Sequence, residues 1–63
     1  MLNVLDLEAG EKVRLQDGAI AEVVANPKDG VWIELRYLTV PQNPAWEGTE
    51  ELVFAESLVE RVE

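Results

Sequence analysis

Turn signals recur so closely along this chain that no segment between them is long enough for a useful helix. They are Ala9-Gly10, Asp17-Gly18, Asn26-Pro27-Lys28-Asp29-Gly30 and the stretch TVPQNPAWEGTE at residues 39–50. Gly accepts positive φ and Pro holds φ near about −65°, so each of these reverses or interrupts a regular run. What remains are short pieces rich in β-branched and aromatic residues, which is the composition of strands.

The pieces alternate. In EKVRL, Val13 and Leu15 share one face while Lys12, Arg14 and Gln16 take the other. In AIAEVVA, Ala19, Ala21 and Val23 lie opposite Ile20, Glu22 and Val24. VWIELRYL is the clearest: Val31, Ile33, Leu35 and Tyr37 form an apolar face, with Trp32, Glu34, Arg36 and Leu38 on the reverse. A period of two is the strand signal. In EELVFA, Leu52 and Phe54 alternate with Glu51, Val53 and Ala55, and the larger pair is assigned to the core. Glu56-Ser57-Leu58 suits a short helical turn, with Ser57 capping it, and Val59 and Val62 suit a closing edge strand, the alternative being a helical turn throughout. The predicted core is Val13, Leu15, Val23, Ile33, Leu35, Leu52 and Phe54. Five short strands with Gly and Pro turns predict an all-β single domain over residues 1–63, a five-stranded barrel that removes its open edges by closure.

The stretches GEKVRLQDGAIAEVV and VFAESLVERVE resemble the opening and the ending of SH3-like small β-barrels, in which the fourth strand passes through a short helical turn into the fifth. The resemblance spans the chain and implies that fold. Type II dihydrofolate reductases and the photosystem I subunit IV family are similar in layout. The reductases use a Val-Gln-Ile-Tyr stretch before the closing turn. The matching residues here are Leu52-Val53-Phe54-Ala55, without the glutamine or the tyrosine, so the reductase activity does not carry over. Nothing in the chain marks a photosynthetic cofactor, and likeness of fold does not give function.

Composition narrows the chemistry. The chain has no cysteine and no histidine, so disulfides, thiolate nucleophiles and imidazole bases or metal ligands are out of reach. Ser57 is the sole serine and has no base at a telling spacing. Glu47, Glu50 and Glu51 cluster after Trp46, but Glu50 and Glu51 point to opposite faces in an extended chain, and the cluster reads as a solvated rim. No loop carries the spaced oxygen ligands of a calcium site, and the glycines stand singly instead of in phosphate-loop spacing. The expectation is a protein without catalysis, metal or cofactor. MLNVLDLEAG lacks the basic segment of a secretory leader, and no apolar run approaches the roughly 20 residues of a spanning helix, so a cytoplasmic protein with no membrane partner is expected.

The aromatic residues carry the remaining signal. Tyr37 and Phe54 read as core, whereas Trp32, on the reverse face, and Trp46, in the long loop, do not. Tryptophan and arginine dominate interface hot spots, so Trp32, Arg36, Tyr37 and Trp46 are the candidate binding residues, for a protein partner or for self-association. An aromatic pocket edged by acids also suits a cationic side chain. The competing reading is that Trp46 folds onto Trp32 as a lid, stiffened by Pro41 and Pro44. The alternative function is nucleic-acid binding through Lys12, Arg14, Lys28 and Arg36, which the net charge of −8 disfavours.

Overall fold

The computed structural model describes residues 2–62. Its strands are β1 Lys12–Leu15, β2 Ile20–Ala25, β3 Trp32–Thr39, β4 Glu50–Phe54 and β5 Leu58–Val62. They form one antiparallel sheet in the order β4-β3-β2-β1-β5. The only helical pieces among the described residues are single 3-10 turns at Val4–Asp6, Pro44–Trp46 and Ala55–Ser57. The fold is therefore all-β, as expected, with the short helical turn just before the last strand. β4 and β5 stand at the two ends of the order.

Local chemistry sets each junction. Asp17 accepts the amide of Ala19 through Oδ1 at 2.9 Å, and Gly18 takes φ of 90°, so the β1–β2 reversal needs both residue types. Asn26 does two jobs. Its Oδ1 accepts from the Lys28 amide, and its Nδ2 donates to the carbonyls of Val4 and Leu7 at 2.8 and 3.0 Å. Asp29 Oδ1 accepts the amides of Val31 and Trp32 and so starts β3. The Trp32 and then the Val31 bond stabilise the ionised form and hold the Asp29 carboxyl below its ordinary pKa.

The core is the inner face of β1, β2 and β3 with a cover drawn from elsewhere. Val13, Leu15, Ala19, Ala21, Val23, Ile33, Leu35 and Tyr37 are buried, and Leu7, Val40 and Leu58 complete the cluster. Leu7 comes from the N-terminal segment and is fully buried, with Leu2 and Val4 packed alongside. Val40 comes from the long loop.

Three expectations are corrected. Leu52 and Phe54 are not core: they are 60% and 51% exposed, and Val53 is the β4 residue that packs inward. The register decides this, because Phe54 pairs with Trp32 and Leu52 with Glu34, and cross-strand partners share a face. Val31, assigned to the core face, precedes β3 and is exposed. Ser57 does not cap the closing turn, whose N-cap position is Phe54 with no side-chain bond; instead the Ser57 carbonyl accepts from the Gln16 amide at 2.9 Å.

Candidate functional site

The outward face of β3 and β4 presents Trp32, Glu34 and Arg36 beside Phe54, Leu52 and Glu50 in direct register. Trp32 and Phe54 stack with centroids 4.3 Å apart and planes inclined by 22°. Both rings remain exposed, and Leu52 continues the apolar surface one pair further along. A stack of this kind contributes about 0.5–1.5 kcal/mol beyond area burial. It needs no third element to hold it, because adjacent strands already fix both backbones. Next along the face, Arg36 donates to Glu50 at 2.6 Å and lies 4.0 Å from Glu22 on β2. The face thus runs from an aromatic end to an ion-paired end.

The long loop is ordered by its own bonds. Glu47 accepts the Val40 amide through Oε2 at 3.0 Å, closing the loop across its base. The Gly48 amide donates to the Tyr37 carbonyl, the Thr49 carbonyl accepts from the Tyr37 amide, and the Thr49 hydroxyl donates to the Trp46 carbonyl at 2.6 Å. Trp46 leans on Tyr37 at 5.9 Å in a tilted arrangement and is half exposed. It does not reach Trp32 as a lid. Trp32 begins β3 and Tyr37 lies five positions on, roughly 16 Å at the usual strand rise.

The four residues singled out in the sequence therefore divide. Trp32 and Arg36 share the outward face. Tyr37 is buried on the inner face, with Trp46 against it. Sequence reading missed Leu52 and Phe54 as surface residues, and the available signal was that EELVF carries apolar side chains at both positions of its alternation. Because half of Trp46 is already in solvent, Trp46→Ala is expected to cost about 1–2 kcal/mol, less than the roughly 3–5 kcal/mol of a fully buried large aromatic. Denaturant melts of the two proteins check this.

The basic residues do not form a free patch. Arg14 pairs with Glu60, Arg36 with Glu50 and Glu22, and Arg61 with Glu11 at 2.7 Å, while Lys28 lies 4.0 Å from Glu8. Among the described residues Lys12 alone makes no such pair. Also among the described residues, no group of three or more carboxylates is placed to hold a metal ion, and no helix is long and apolar enough to cross a membrane.

The surface of the described residues is hollowed in places, and two of these hollows bear on function. The larger, about 450 Å³, lies between the N-terminal segment and β5 and has no aromatic lining. The smaller, about 260 Å³, lies beside Tyr37 between the β1–β2 turn and the closing turn. Burial is the main reason that the Tyr37 hydroxyl is held above its ordinary pKa, with the charges of Asp17 and Glu51 adding to it. Folding therefore favours the neutral phenol. Its contribution to stability is complete below the unfolded value near 10.0 and is lost as pH rises from there through the folded value. With a single tyrosine in the chain, a phenolate absorbance titration is expected to give one midpoint above 10.0, and the part of the melting temperature that depends on Tyr37 is expected to fall between pH 10.0 and that midpoint.

No family model matches this chain, and no curated protein or solved structure matches it.

Proposed function

We propose that this chain is a small acidic, non-catalytic binding module of SH3-like barrel type that engages a protein partner through the outward face of β3 and β4. The observation that carries the reading is the exposed Trp32–Phe54 stack extended by Leu52. Large apolar side chains held rigidly and left in solvent are the anchors that protein interfaces bury. The strand order and the 3-10 turn before β5 support the barrel assignment. The absence of histidine and cysteine from the sequence supports a role without catalysis. A net charge of −8 makes two copies repel and favours a partner that carries basic residues around its own apolar patch.

The test compares the wild type with a Leu52→Ser/Phe54→Ser variant. Both positions are mostly exposed, so the variant is expected to lose only about 1 kcal/mol of stability, chiefly the stack. It is expected to lose capture of a stoichiometric partner that the wild type and Trp46→Ala both retain. Binding should change little with salt. Retention of the wild type on immobilised DNA, weakening steeply as salt rises, would instead establish the nucleic-acid reading through Lys12, Arg14, Lys28 and Arg36.

A further inference from the structure

We propose that the hollow beside Tyr37 is a binding site for an organic cation on an alkyl stem, the ammonium or guanidinium end of a lysine-like or arginine-like group. Its lining is Leu15, Gln16, Asp17, Tyr37, Val53 and Ser57, and it contains no cationic side chain. At about 260 Å³ it falls below the roughly 300 Å³ at which sites for whole small molecules begin, so it accepts a group of side-chain size.

The polar groups facing it are in excess as acceptors. Tyr37 is 6% exposed, and its hydroxyl makes no hydrogen bond among the described residues. Arg14 Nε, away from the hollow, is the one unpartnered side-chain N or O atom sealed from solvent among the described residues, so the unbonded Tyr37 hydroxyl keeps contact with solvent, and Tyr37 lines the hollow. The Tyr37 hydroxyl is therefore available to bond a group that enters the hollow. Asp17 spends Oδ1 on the Ala19 amide and keeps Oδ2 free. Gln16 Nε2 donates to the Glu56 carbonyl at 3.0 Å, which leaves Oε1 as an acceptor. The Ser57 hydroxyl has no partner among the described residues. Leu15 and Val53 supply apolar wall for the stem. The charges of Asp17 and Glu51 both act on the Tyr37 hydroxyl, so the field at the mouth is negative. A donor-rich cation satisfies these groups together and is drawn by the Asp17 carboxylate, whereas that same charge opposes an anion.

This site is separate from the outward face, because Val53 and Leu52 point to opposite sides of β4. Either proposal can therefore fail without the other.

The experiment is a titration of ¹⁵N-labelled protein with n-butylammonium, n-propylguanidinium and n-butanol, at ionic strength held constant with sodium chloride. Saturable amide shifts confined to residues 16–19, Tyr37 and Ser57 are expected with both cations, and n-butanol is expected to bind at least about tenfold more weakly. Asp17→Asn keeps an acceptor for the Ala19 amide and removes the charge, and it is expected to weaken the cations roughly fivefold, the scale of one exposed ion pair. Tyr37→Phe keeps the ring and removes the hydroxyl, and should also weaken them. Linear shifts that never saturate, equal binding of n-butanol, or unchanged affinity in Asp17→Asn would each overturn the proposal.

Discussion

Leu7→Ala is expected to lower the unfolding free energy by about 2–5 kcal/mol, the range for truncating a fully buried leucine. The side chain has no exposed surface and sits in the same cluster as Val13, Val23 and Leu35. For a chain of 63 residues, a total stability of about 0.05–0.15 kcal/mol per residue leaves roughly 3–9 kcal/mol, so this one change removes a large part of it. The neighbouring Leu5 is 46% exposed, and Leu5→Ala is expected to stay within about 1 kcal/mol. Asn26→Ala removes the two bonds that tie Val4 and Leu7 carbonyls to the β2–β3 loop, and its cost is expected between those two values. Urea melts of the three variants supply the comparison. A loss below 1 kcal/mol in Leu7→Ala would mean that the N-terminal segment is an appendage and not part of the core.

The strands were legible because two independent signals agree on them. Alternation sets the faces of β1, β2 and β3, and the Asp17-Gly18 and Asn26–Gly30 turns fix where they end. The buried set Val13, Leu15, Ala19, Ala21, Val23, Ile33, Leu35 and Tyr37 follows from that pattern alone. The N-terminal cover was not legible. Leu2, Val4, Leu5 and Leu7 share no simple period, and Leu7 is selected by a tether from Asn26, nineteen positions away. Closure of the long loop by Glu47 was equally hidden, since a carboxylate among other glutamates gives no sign that it will accept the Val40 amide.

The candidate site was only partly legible for a related reason. Trp32 and Arg36 share a face by simple alternation, and that much the sequence determines. Whether Trp46 joins them depends on which end of β3 the loop returns to, which is a property of the β3–β4 register. Arg36 pairs with Glu50 and Trp32 with Phe54, so the loop and Trp46 fall at the far end from Trp32. The same register turns Phe54 outward and makes it the partner of Trp32. A sequence read one strand at a time contains no cross-strand term. Asp17 shows the converse: its turn role was legible in Asp17-Gly18, while its place in the lining of the Tyr37 hollow emerges only once β1, β4 and the closing turn are brought together.

The face assignment of β4 leads to the second large effect. Val53→Asp is expected to cost about 2–4 kcal/mol, because it takes a charged group toward an apolar cluster and a hollow whose lining holds no cationic side chain to pair with it. The charges of Asp17 and Glu51 act on Tyr37, which lines the same hollow as Val53, so they oppose a further carboxylate there. Leu52→Asp puts the same side chain one residue earlier on the opposite face. Leu52 is 60% exposed and pairs across the strand with Glu34, so the cost is confined to the modest repulsion of like charges on a solvated surface. Its expected loss is below about 1 kcal/mol. The two variants carry equal net charge, which removes global electrostatics from the comparison. Thermal and urea melts at one pH and one salt concentration then read the face alone. If Leu52→Asp proved the more damaging of the pair, β4 would have to be rotated by one residue against β3, and Phe54 would return to the core and away from its stack on Trp32.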